Sequence, residues 1–340
     1  MRFPEFLQPG GNIGFVAPSF GCATEPYIST FKKAQDKFVS LGYELTIGPN
    51  CYEAKGIGIS NTPDKCGSEL TDEYVNGKSD VIISCGGGEM MCETLNHIDF
   101  DKIAKAKPKW YMGYSDNTNF TFMSATLADT AAIYGPCVSS FGMEPWHPAI
   151  DDALSLLKGE KLKFSGYGKW ELESLKDETN PYVPYNVTED TKLHTYPEGD
   201  VHMKGRLLGG CIDCMVTFLG TEFDKVNDFN NRYKDDGVLW FMEACELNVM
   251  GIRRAMWQMK NAGWFDNASG FIIGRPMLYE QDMMGLDQYR AVVDIIGDIG
   301  VPILMNADIG HLPPMIPIVC GAMGEVRSCG NSYSLEMEMR

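Results

Sequence analysis

No stretch of this 340-residue chain approaches the roughly 18 uninterrupted apolar residues that a membrane-spanning helix needs. Basic residues are scarce, with 29 Lys and Arg against 46 Asp and Glu and a formal net charge of −17. A surface that acidic repels phosphate backbones and anionic headgroups, so neither nucleic acid nor a membrane surface is an expected partner. The opening, MRFPEFLQPGGNIGFVAPS, lacks a basic segment followed by an apolar one and does not read as a secretory signal. The eleven cysteines show no paired spacing of a disulfide framework, and without an export signal they read as reduced thiols of a cytoplasmic protein. No phosphate-binding loop is present, and Gly86-Gly87-Gly88 lacks the G-x-G-x-x-G spacing of a dinucleotide fingerprint. The one CxxC, Cys211-Ile-Asp-Cys214, has neither a second pair nor histidines at zinc spacing and reads as buried structural thiols. No metal and no cofactor are expected.

What is present is ordinary for a globular protein: 44% hydrophobic and 22% charged residues, enough for a sizeable core. The length favours two domains. In the first part, short apolar runs near 12–17, 43–47, 80–84, 109–112 and 131–134 alternate with helical patterns such as 29–40 and 118–127. That alternation predicts α/β architecture with a parallel sheet and loops gathered at the strands' carboxyl ends, where ligands sit. From about 164 to 201 the periodicity fades into a Pro-, Tyr- and charge-rich stretch, read as a linker or a lid. Order returns with strands near 237–242, 270–273 and 302–305 and helices near 213–219, 252–261 and 288–296, and the chain ends β-rich. The expected division is 1–163, a 164–201 linker or lid, and a smaller α/β domain at 202–340.

Chemistry concentrates where strands end. Gly113-Tyr114-Ser115-Asp116 lies between an expected strand and an expected helix, a place where a serine hydroxyl projects and the first helical N–H groups can receive an oxyanion. The pattern is G-x-S-x-N rather than G-x-S-x-G, and either Ser115 or Asp116 could instead simply cap the helix. A serine nucleophile needs a base, and only five histidines are available. His311 follows a strand directly and stands between Gly310 and LPP, which makes it the best-placed base; a surface-loop histidine is the plain alternative. For the acid that orients the imidazole, Glu243 ends the apolar run 238–242, where a carboxylate is costly unless paired, and Glu246 is its rival. Gly86, Gly87 and Gly88 offer amides unobstructed by side chains beside that of Asp116.

Several segments together resemble the LD-carboxypeptidase family of serine peptidases, in particular its microcin C self-immunity branch. They are NIGFVAPS, CGGG before HIDFD, KWYMGYSDNT, IYGP, GRLLGG, LWFMEACE and DIGHLPPMIPIVCGA, in family order along nearly the whole chain. The resemblance implies a Rossmann-like parallel-sheet amino-terminal domain carrying the serine and a carboxyl-terminal domain supplying Glu and His. It places Ser115 on the nucleophile, Glu243 on the acid, His311 on the base, and the Gly87 and Asp116 amides on the oxyanion hole. It also implies a homodimer without metal. Trp170 resembles an aromatic that this branch stacks on a nucleobase, with ordinary loop packing as the alternative. Gly88 and Glu89 stand where the branch has an aromatic and Asn, and Cys85 where the cell-wall-recycling branch often has Arg. Glu246 and Arg254 are candidates to meet substrate charge, with an ion pair inside the domain as the alternative. The expected substrate is a small peptide or peptide-nucleotide amide of the microcin C type, or else the L,D bond of a murein tetrapeptide. A non-catalytic binding protein on the same fold is the rival from another class.

Overall fold

Runs such as NIGFV and VLWFME are too short and too evenly apolar for amphipathic helices, and they fold as strands buried along their whole length. The computed structural model describes residues 1–340. Its strands, in chain order, are β1 (Asn12–Val16), β2 (Glu44–Ile47), β3 (Val81–Ser84), β4 (Trp110–Gly113), β5 (Ala132–Tyr134), β6 (Lys163–Ser165), β7 (Lys169–Trp170) and β8 (Glu189–Asp190). They continue with β9 (His194–Tyr196), β10 (His202–Cys211), β11 (Val238–Glu243), β12 (Ala268–Gly274), β13 (Ile303–Ala307), β14 (Ile318–Cys320), β15 (Met323–Cys329) and β16 (Ser332–Glu338). The chain divides into two units. One comprises Met1–Lys161, Glu173–Asn186 and Pro317–Val319, and the other Leu162–Leu172, Val187–Ile316 and Cys320–Arg340.

In the first unit the sheet order is β14-β5-β4-β3-β1-β2, with β2, β1, β3, β4 and β5 paired parallel in turn. Parallel neighbours require crossovers, and helices supply them. The helix Tyr27–Ser40 buries Thr30, Phe31, Ala34 and Phe38 at helical spacing. The helix Pro63–Val75 begins with a proline whose missing N–H costs nothing at that position. The helix Thr118–Thr126 is buried on every side, so it shows no amphipathic pattern at all.

In the second unit an eight-stranded sheet runs β6-β16-β15-β10-β11-β12-β13-β9. Its centre, β10 to β13, is parallel, and the strands to either side are antiparallel. The parallel centre places the residues that end β11, β12 and β13 on one rim, the rim where such sheets hold ligands. No helix of either unit is long and apolar enough to cross a membrane.

Candidate active site

The rim of the first unit is built around Ser115. β4 ends at Gly113, and the next turn holds Ser115 at φ +63, a left-handed conformation that costs a non-glycine residue of order 1–3 kcal/mol. Strain of this kind throws a side chain out of a strand-to-helix turn. The backbone N–H of Ser115 donates to Tyr134 Oη (3.1 Å), and Thr118 Oγ1 donates to the Ser115 carbonyl (2.7 Å), so the turn is held from both sides. The helix Thr118–Thr126 starts at Asn117 without a side-chain capping bond. Asp116, only 3% exposed, turns its Oδ2 to the Ser19 hydroxyl (2.5 Å) and the Met91 amide (2.9 Å) instead.

The glycine run after β3 faces this turn. A Cβ on Gly87 would lie 2.9 Å from Ser115 Cβ, 3.0 Å from its Oγ and 3.8 Å from the Asp116 nitrogen. Any side chain there would fill the space over the hydroxyl. At Gly88 a Cβ would meet Ser19 Oγ at 2.1 Å, so that position too must stay bare. Asn117 locks the two loops together: its Nδ2 donates to the carbonyls of Gly86 (2.8 Å) and Tyr114 (3.0 Å), while its Oδ1 accepts from the Tyr111 hydroxyl. Asn117 closes the G-x-S-x-N pattern, but the sequence does not reveal these partners, because they lie on two different strand ends.

The rim of the second unit is built around Glu243 and His311. Glu243, the last residue of β11, is wholly buried. His311 Nδ1 donates to Glu243 Oε2 at 2.9 Å. Burial by itself disfavours the imidazolium, but the Glu243 carboxylate, its hydrogen bond and the neighbouring Cys245 outweigh burial and hold the His311 pKa well above 6.5. Gly310 makes the contact possible. It sits at φ +103, and a Cβ there would lie 2.6 Å from Glu243 Oε2. Three other histidines are engaged elsewhere: His147 Nδ1 caps the helix Pro148–Leu157, His202 meets Glu325 at the surface, and His194 packs against the Tyr289 ring.

Two supports in this unit escape a sequence reading. Asp213, inside the CxxC, accepts the backbone N–H groups of Cys245 (3.0 Å), Glu246 (2.8 Å) and Leu247 (3.0 Å), fixing the chain just after Glu243. The Cys214 thiol beside Cys211, together with burial, pushes the Cys211 pKa well up, which keeps Cys211 a neutral thiol. Arg275, directly after β12, pairs with Asp308 at 2.7 Å in the interior. Glu246 and Arg254 are both exposed. Trp170 is 3% exposed; its ring meets Tyr279 edge to face and lies under the Arg275 guanidinium, 5.1 Å from the ring centroid. No group of three or more His, Cys, Asp or Glu side chains is placed to hold a metal ion.

Residues 13–135 match the family model of the LD-carboxypeptidase N-terminal domain, and residues 204–326 match that of the C-terminal domain. This chain belongs to the LD-carboxypeptidase family. It is therefore a hydrolase of serine-peptidase type, and the two matched domains carry the two rims described above. Among its relatives in the family is the microcin C7 self-immunity protein MccF of Escherichia coli, 27% identical over 325 residues that cover 93% of this chain and 90% of MccF. The solved structure of MccF in complex with aspartyl sulfamoyl adenosine superposes with a TM-score of 0.81 at 21% identity, covering 99% of this chain and 98% of that one. An MccF-like protein from Bacillus anthracis gives 0.80 at 19% identity, covering 99% and 100%. The two-domain α/β fold with a β-rich end is thus the fold of this family.

Proposed function

We propose that the protein hydrolyses an amide bond in a small peptide or peptide-nucleotide through a Ser115–His311–Glu243 triad. The observation that carries this reading is the 2.9 Å bond from His311 to a carboxylate buried without exposure to solvent. An imidazole oriented by a buried carboxylate is suited to take a proton from a hydroxyl once it is neutral. In the proposed reaction Ser115 Oγ attacks the scissile carbonyl as His311 Nε2 takes its proton, and Glu243 stabilises the imidazolium that forms. The tetrahedral oxyanion is received by the amides of Gly87 and Asp116. His311 then protonates the leaving amine, and water, activated by the same imidazole, releases the acyl group from Ser115. Glu246 and Arg254, being exposed, are the candidates to read substrate charge. For Trp170 to meet a nucleobase, its ring must leave Tyr279 and Arg275.

The MccF structure bound to an aminoacyl sulfamoyl nucleoside favours the peptide-nucleotide substrate, and the family description favours the L,D bond of a murein tetrapeptide as the second reading. The purified protein and its Ser115→Ala variant are to be incubated with both compounds and the products followed by mass spectrometry. Wild type should cleave the peptide-nucleotide, and the variant should fold normally and lose at least about 10³-fold in rate. Cleavage of the tetrapeptide alone would move the assignment to the second substrate. Undiminished turnover by the variant would remove Ser115 as nucleophile.

A further inference from the structure

The interior of the second unit contains an ion pair that the proposed chemistry does not use. Arg275 and Asp308 have side chains 1% and 0% exposed. Arg275 Nη1 donates to the carbonyl of Asn306 (3.0 Å), and Nη2 donates to Asp308 Oδ1 (2.7 Å) and to the carbonyl of Leu312 (3.2 Å). These three points lie on both sides of His311. Its Nε has no hydrogen-bond partner, so the hydrogen bonds of the guanidinium all go to the 306–312 loop.

Asp308 completes the clamp. Its Oδ2 accepts the Tyr167 amide (2.8 Å), its own amide donates to Tyr333 Oη (2.9 Å), and its carbonyl accepts the Ile316 amide (2.8 Å), which closes the loop beyond His311. Asn306 stands at φ +64 where β12 and β13 slip register, a bulge that re-aims the chain leaving β13. The strand residue Trp170 lies under the guanidinium, and the next residue, Glu171, donates its amide to the Pro313 carbonyl (2.8 Å). A buried ion pair is expensive to desolvate and is poor support for stability as such. Its planar, bidentate geometry is what it adds, and here that geometry is applied to one loop.

We infer that Arg275, held by Asp308, is a positioning residue that sets the orientation of His311 toward Glu243. The inference rests on the proposed role of His311 as the base. Arg275 is too deeply buried to touch substrate, so it acts through the loop alone. The ionisable groups that act on the imidazole directly are Glu243 and Cys245; the clamp acts on the backbone that carries it.

The test uses the full chain with Arg275→Met combined with Asp308→Asn, which leaves no unpaired buried charge, and Arg275→Lys, which keeps the pair but cannot also reach both carbonyls. Three quantities are measured: the His311 titration by NMR of histidine-labelled protein, the rate of Ser115 labelling by a fluorophosphonate, and kcat and KM with the aminoacyl sulfamoyl nucleoside. In a double variant that melts as a folded protein, the His311 midpoint should fall toward 6.5, and labelling and kcat should drop about 10–100-fold with KM within about threefold. Arg275→Lys should lie between the double variant and wild type, and it carries the test by itself if the double variant does not fold. Wild-type titration and wild-type rates in the folded variant, or in Arg275→Lys where that stands alone, would overturn the inference. The titration needs no working Ser115, so a failure of the nucleophile assignment would show in Ser115→Ala turnover and leave the titration readout intact.

Discussion

At the scale of single residues, the account turns on a carboxylate and an imidazole that each change what the other does. Glu243 is removed from water at the end of an apolar strand, an arrangement that is tolerable only with a partner. His311 is that partner, and its proton is held more tightly in the folded chain than in the unfolded one. The sign follows from linkage: a base with a raised folded pKa contributes stability that is fully present below 6.5 and is lost as pH rises through the folded value. Thermal unfolding measured from pH 6 to pH 9 should therefore show a decline in wild type that is flattened in His311→Gln, and kcat should rise over the same range as the imidazole gives up its proton. An identical slope in both proteins would contradict the shift. Glu243 and His311 could be chosen from the sequence because one ends an apolar run and the other follows a strand. Arg275 and Asp213 could not, since an arginine after GFIIG or an aspartate inside a CxxC reveals its partners only when distant loops meet.

At the scale of elements, strand ends do the positioning. Parallel strands β10 to β13 bring the chain after β11, β12 and β13 onto one rim, and each departure is secured by a side chain from a neighbour. Asp213 secures the first of these, gathering three amides that would otherwise lack a partner. Asp213→Ala should cost about 1.5–3 kcal/mol of stability, read from chemical unfolding, and should lower turnover because the segment following Glu243 is released. A variant as stable and as active as wild type would show that those amides do not need the carboxylate. The longer strands and the amphipathic helix Tyr27–Ser40 are readable as periodicity. The strands β6, β7, β8 and β9 have two or three residues each, too few to carry a period of two, and so 164–201 looks featureless in sequence. The bulge at Asn306 is equally invisible because it depends on register, whereas the turn at Ser115 is legible and only its left-handed backbone angle is not.

At the scale of the whole molecule, the proposal asks a hydroxyl carried by one unit to be activated by an imidazole carried by the other. The two family domains divide the chain in the same sense, with Ser115 inside the first match and Glu243 and His311 inside the second. The net charge of −17 reads as solvation. The measurement that tests the central claim most directly is labelling by a fluorophosphonate, quantified by peptide mapping in wild type, His311→Ala and Glu243→Gln. The account predicts stoichiometric modification of Ser115 in wild type, slowed about 10²–10⁴-fold in each variant. Equal labelling rates in all three proteins, or modification at some other serine, would contradict it.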